Sequence, residues 1–148
     1  MPDNPNVVVG STGRGIFRSE DAGDSFVQVD GAVKGRYCYG VVLHPDAPAT
    51  LFTAGAETGP RQWRKRPEGA NTKFFRSTDQ GASWTVLSGG LPEVLTAAPR
   101  ASGSCPDRAG TFLVGMTDGT IFMTSDFGES FAQISGGLPP VYSLAVAP

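Results

Sequence analysis

SEDAGDSF, residues 19–26, sets acids and hydroxyls around a central glycine, a composition that suits either a cation-binding loop or a tight turn. The pattern returns as STDQGASW, residues 77–84, and as TSDFGESF, residues 124–131. Aligned on Asp21, Asp79 and Asp126, a hydroxyl residue stands two before (Ser19, Ser77, Thr124), a glycine two after (Gly23, Gly81, Gly128) and a serine four after (Ser25, Ser83, Ser130). An aromatic follows each serine (Phe26, Trp84, Phe131), and another precedes each acid by four (Phe17, Phe75, Phe122). A recurrence of this kind decides the architecture before the chemistry of any single residue is weighed.

The variable positions choose between loop and turn. A cation loop built on Asp21 and Asp24 needs both carboxylates, yet the second becomes Ala82 and then Glu129. One retained acid beside a glycine is what a tight turn asks for: the carboxylate accepts backbone N–H groups a few residues on, and glycine takes the positive φ that a Cβ opposes. The aromatic after the turn then pins the hairpin to a core. No metal site and no cofactor is expected.

Around each turn lie short β-branched and aromatic runs ended by Gly, Pro, Asn and Asp. GIF, KFF and TIF precede the turns, SFVQV, SWTVL and SFAQI follow them, and NVVVG, TLFTAG and TFLVG come earlier in each unit. YGVVLHP and VLTAAP precede two of the units, VYSLAVAP closes the chain, and no helix is required. The acids are 58 and 47 positions apart, close to the period of a four-stranded propeller blade. The fold class is therefore all-β, a propeller of about three blades.

These three motifs resemble the Asp-box, or BNR repeat, of the form Ser/Thr-x-Asp-x-Gly-x-Ser/Thr-aromatic, and the pair SGGLP at 88–92 and 135–139 resembles the blade connectors of the same proteins. Families with the motif include sialidases, xyloglucan-type glycoside hydrolases, sortilin-like receptors and photosystem II assembly propellers. The resemblance implies a fold rather than one function. It implies that Ser19, Asp21, Gly23, Phe26, Ser77, Asp79, Gly81, Trp84, Thr124, Asp126, Gly128 and Phe131 are structural, on the face away from the ligand site.

With blade strands lettered A to D from the hub outward, the chain opens at a B strand. Blade 1 contributes strands B to D over 6–31, blade 2 covers 37–90, blade 3 covers 93–137, and a closing A strand covers 141–147. Three blades leave apolar faces and strand edges uncovered. Two closures are expected: the rest of a longer propeller, or a head-to-tail homodimer in which each closing strand zips beside the partner's first strand.

The 148 residues allow one domain, and the formal net charge of −2 argues against a nucleic-acid partner. No segment is apolar enough for a membrane span, so no membrane partner is expected. No signal peptide is visible, which leaves the compartment open, cytoplasmic if the chain is complete. Cys38 and Cys105, in different units, are expected as thiols.

Function is sought in the connection between strands B and C. Units one and three use GSTGRG and GMTDGT, whereas unit two spends AGAETGPRQWRKRPEGANTK, about fourteen residues more. Arg61, Trp63, Arg64, Lys65 and Arg66 lie in it, with Arg36 and Tyr37 near the start of an inner strand. Trp63 offers a flat stacking face and the guanidinium groups suit carboxylate, sulfate or phosphate. The plainer reading is a solvated loop anchored by Trp63. The primary expectation is a non-catalytic binding or scaffold module for an acidic glycan or an acidic protein. The alternative is part of a sialidase- or xyloglucanase-like glycoside hydrolase, with acids on other blades. Such chemistry needs two facing carboxylates. The Phe/Tyr-Arg-Ile-Pro signature of sialidases is absent, so no catalytic residue is assigned. His44, without a partnered Ser or Cys, is expected as a rim hydrogen-bonder rather than a base.

Overall fold

The computed structural model describes residue 1 and residues 3–44 and 47–146, with the backbone alone of His44. Three antiparallel sheets follow one another along the chain. The first pairs β1 (Val8–Thr12), β2 (Gly15–Ser19) and β3 (Val27–Gln28) in that order. The second orders β4 (Tyr37–His44), β5 (Ala47–Ala56), β6 (Lys73–Ser77) and β7 (Thr85–Leu87). The third orders β8 (Pro99–Ser104), β9 (Phe112–Met116), β10 (Ile121–Thr124) and β11 (Ala132–Ser135). Each sheet is a meander in which neighbours in sequence are neighbours in space, so each is a blade; the first lacks its inner strand.

The Asp-boxes are the β2–β3, β6–β7 and β10–β11 turns, and their chemistry is the same three times. Ser77 Oγ donates to Asp79 Oδ1 at 2.8 Å and accepts the Gly81 N–H at 2.8 Å. Asp79 Oδ1 accepts the Ser83 N–H at 2.9 Å and Oδ2 the Ser83 hydroxyl at 2.6 Å. Asp21 and Asp126 repeat this with Ser19 and Ser25, and with Thr124 and Ser130. The glycines have φ of 101°, 82° and 88°. The residue after each acid is left-handed as well, with φ of 60° at Ala22, 56° at Gln80 and 58° at Phe127, which the composition did not announce.

Two cores lie between the blades. Ile16 and Val29 of blade 1, with Val33 of the link that follows it, meet Leu51, Phe75 and Trp84 of blade 2. Phe52, Phe74 and Leu87 of blade 2 meet Phe112, Val114, Phe122 and Phe131 of blade 3. Phe52 and Phe112 stack at 4.8 Å, while Phe74 meets the edges of Phe122 and Phe131 at 5.9 and 5.1 Å. The Asp-box aromatic thus packs on the preceding blade. Phe26 departs from the expected pinning: it is 46% exposed where Trp84 and Phe131 are 8% and 5%, because among the described residues no blade packs against it.

Three expectations about local structure change. The run 94–99 is not the inner strand of blade 3, which begins at Pro99. Its backbone serves connections instead: Leu95 O and Thr96 O accept the N–H groups of Thr72 and Ala70, and Ala98 O accepts that of Thr117. A helix of one turn, α1 (Pro60–Trp63), stands in the long connection, with proline at its first position where no donor is lost. Residues 141–146 form no strand ladder with the described sheets. They nevertheless lie along blade 3: the Val141 N–H donates to O of Met116, at the end of β9, at 3.1 Å, and Leu144 lies against Gly103 of β8. Residue 147 is outside the described residues. Cys38 and Cys105 are both buried.

Candidate functional site

The long connection folds back on itself before it reaches solvent. Glu57 Oε2 accepts from Arg66 Nη2 at 2.9 Å and from Asn71 Nδ2 at 2.7 Å, joining the two ends of the insertion. The Asn71 bond is the first cause of the lowered Glu57 pKa; burial opposes it and Arg66 adds to it. Trp63 closes the loop from within. Its Nε1–H donates to Thr58 O at 2.7 Å, its ring meets Tyr37 edge-on at 6.2 Å, and it packs over Ala56, Ala70 and Ala98. The anchored indole nevertheless remains half-exposed.

That exposed side opens on a cleft of about 900 Å³ between the insertion, the start of β8 and the chain's last residues. Arg61, Trp63, Arg64 and Lys65 of the insertion line it together with Thr96, Arg100, Thr117 and Tyr142. Apart from Arg100, which is the second residue of β8, these residues come from B–C and D–A connections, at the strand ends opposite the Asp-boxes. Arg100, which the sequence reading missed, sits between two rings, its guanidinium carbon 5.7 Å from the centroid of Tyr39 and 5.7 Å from that of Tyr142. Such stacking holds a guanidinium in place without using its donors. Burial raises the Tyr39 pKa, and the positive charge of Arg100 opposes the rise.

The remaining expected site residues lie elsewhere. Arg66 is paired with Glu57 and, at 3.6 Å, with Glu68. Arg36 donates to Gly55 O at 3.3 Å and Asn71 O at 3.1 Å and lies over the Phe75 ring, a framework position in which burial lowers its pKa and Glu57 opposes that. Tyr37 backs Trp63 and Tyr39 rather than lining the cleft. The His44 side chain lies outside the described residues. A second groove, of about 590 Å³, borders the first Asp-box, but the Asp21 oxygens there already hold Ser19 and Ser25. Among the described residues no group of three or more His, Cys, Asp or Glu is placed to hold a metal ion. Among the described residues no helix is long and apolar enough to cross a membrane. Arg100 could have been suspected from its place two residues after Ala98 in a D–A connection; Tyr142 could not, because its partner ring is more than a hundred positions away.

Blades of four strands packed through aromatic cores define an arc of a β-propeller, and its repeats make the chain resemble Asp-box propeller proteins. No protein-family model matches it. A xyloglucanase of Hypocrea jecorina (strain QM6a) is 30% identical over 123 residues, 82% of this chain and 13% of that protein. In fold, an ancestral GH74 enzyme superposes with a TM-score of 0.72 at 16% identity, over 92% of this chain and 18% of that one. YCF48 bound to a D1 peptide superposes with a TM-score of 0.62 at 14% identity, over 91% of this chain and 38% of that one. The chain is thus glycoside-hydrolase-like in sequence and fold, and spans well under half of each of these relatives.

Proposed function

We propose that the chain is the ligand-binding part of a longer Asp-box propeller, and that its cleft takes an anionic ligand, an acidic glycan or an acidic protein segment. One observation carries this: Arg100, held between Tyr39 and Tyr142, lines the same cleft as Arg61, Arg64 and Lys65, and none of the described lining residues is a carboxylate. Four cations with two exposed rings suit carboxylates borne on a flat or extended molecule. Hydrolysis of a glycoside needs two facing acids, which this cleft does not supply.

A second reading is favoured by the xyloglucanase likeness: the segment supplies substrate contacts to a glycoside hydrolase whose acids lie on other blades. Either further blades of a longer chain close the ring, or a second copy joins head to tail. The small share of each relative that the chain covers favours the first.

The deciding experiment titrates the chain with polyglutamate, polygalacturonate and neutral xyloglucan. Polyanion binding that weakens as salt rises, and weakens about tenfold in Arg100→Ala and in Trp63→Ala, is expected. Salt-insensitive binding of xyloglucan with no response to the acidic polymers would move the assignment to the second reading.

A further inference from the structure

The two junctions inside the chain show how one blade receives the next. At each, three features of the later blade face the earlier one. Trp84 and Phe131 are the Asp-box aromatics, and Leu51 and Phe112, at 1% and 0% exposure, sit on the B strands. The Asp-box glycine is the third: a Cβ on Gly81 would stand 2.9 Å from Val9, and one on Gly128 2.7 Å from Leu87. A polar latch crosses the same junctions. Arg18, three residues before Asp21, donates from Nε to Gln80 O in the next Asp-box at 3.0 Å. Arg76, three residues before Asp79, donates from Nη1 to Phe127 O at 2.6 Å and to Glu129 Oε1 at 2.7 Å.

Blade 1 presents every one of these features with nothing against it. Val8, the counterpart of Leu51 and Phe112 by its pairing with Ser19, is 37% exposed, and Phe26 is 46% exposed. A Cβ on Gly23 would meet only the ring of Phe26. Among the described residues no side chain donates to Ala22 O or to the Asp24 carboxylate, which stand where Phe127 O and Glu129 stand in the third box. The opposite end of the arc is apolar too, with Ile134 at 48% exposure where Leu87 and Val29 are 6% and 8%. Its latch position, three residues before Asp126, holds Met123.

We infer that the open face of blade 1 binds a further Asp-box blade that carries an arginine three residues before its own aspartate, rather than the third blade of a second copy of this chain. The two ends of the arc match in shape and apolarity, but Met123 cannot donate to Ala22 O or pair with Asp24. The inference rests on the longer-propeller reading and is independent of what the cleft binds.

The test supplies the missing arginine. Self-association of the full chain is followed by sedimentation velocity for wild type, Met123→Arg, and Met123→Arg combined with Asp24→Ala, each checked by a thermal melt. Met123→Arg is expected to tighten head-to-tail association about tenfold, with the gain weakened by salt and removed by Asp24→Ala, a charge-assisted contact being at stake. Met123→Lys, with the charge but not the planar fork, is expected to gain less, and serves should the arginine variant melt early. A tight wild-type dimer unchanged by all these substitutions would make a second copy the occupant and overturn the inference. Absence of any gain in either variant would also overturn it, since the face would then not recognise the cation. Polyanion titration of the same variants reports the cleft separately, so the two readings fail independently.

Discussion

Asp79 shows how much of this fold is carried by a carboxylate that never meets a ligand. Removing it in Asp79→Ala leaves the Ser83 N–H and hydroxyl without their acceptor, at a cost of about 1–2 kcal/mol for exposed hydrogen bonds of this kind. A fall of several degrees in melting temperature with unchanged polyanion affinity is expected; loss of binding with an unchanged melt would make the box a ligand site. The same bonds fix a pH dependence. Hydrogen bonds from Ser19 and Ser25 hold Asp21 at about 2, and those from Ser130 and Thr124 hold Asp126 at about 2. For Asp79 burial acts to raise the pKa, but the Ser83 and Ser77 bonds outweigh it and the net shift is downward. A carboxyl group depressed in the folded state stabilises that state above its unfolded pKa and ceases to as pH falls through the folded value. Stability is therefore expected to drop between roughly pH 4 and pH 2, and Asp→Asn at all three boxes to flatten that part of the profile in acid melts. At Cys38, burial pushes the thiol up to about 11 with Arg36 opposing, so thiol reagents at neutral pH should label it only after denaturation.

Among the elements, the strands that face a neighbouring blade and those that face outward carry the same residue types, so position alone sets their energetic weight. Phe74 on β6 is fully buried between Phe122 and Phe131, and Phe74→Ala should cost about 3–5 kcal/mol in denaturant melts. Ile121, its counterpart on β10, is only half-buried on the open face, and Ile121→Ala should cost much less. Equal costs would mean that blade 3 is covered in solution. The insertion behaves differently, since its stability comes from the Glu57, Arg66 and Asn71 contacts and from Trp63 on alanines rather than from a blade core. Its length and its cations are plain in the sequence, which is why Arg61, Trp63, Arg64 and Lys65 are found together. Arg66 and Arg36 share that composition but are drawn into internal pairs, a choice that partner geometry makes and composition does not.

At the scale of the whole arc, blade 2 is covered on both faces, while blades 1 and 3 are each covered on one. Amide exchange should therefore be slowest in β5 and β6 and faster in β1 to β3, where the sheet also lacks an inner strand. Uniform protection across the three sheets would point to an assembled ring. The spacing of the Asp-boxes determined the fold by itself, because each turn needs its acid, hydroxyl and glycine at fixed offsets, and local chemistry of that kind is written contiguously. The exposure of Phe26 against the burial of Trp84 and Phe131 was decided only in three dimensions, since the motif is the same and what differs is whether a described blade packs against it. The cleft was decided there as well. Arg100 and Tyr142 meet in space, and no period in the sequence marks residues that the packing of successive segments brings face to face.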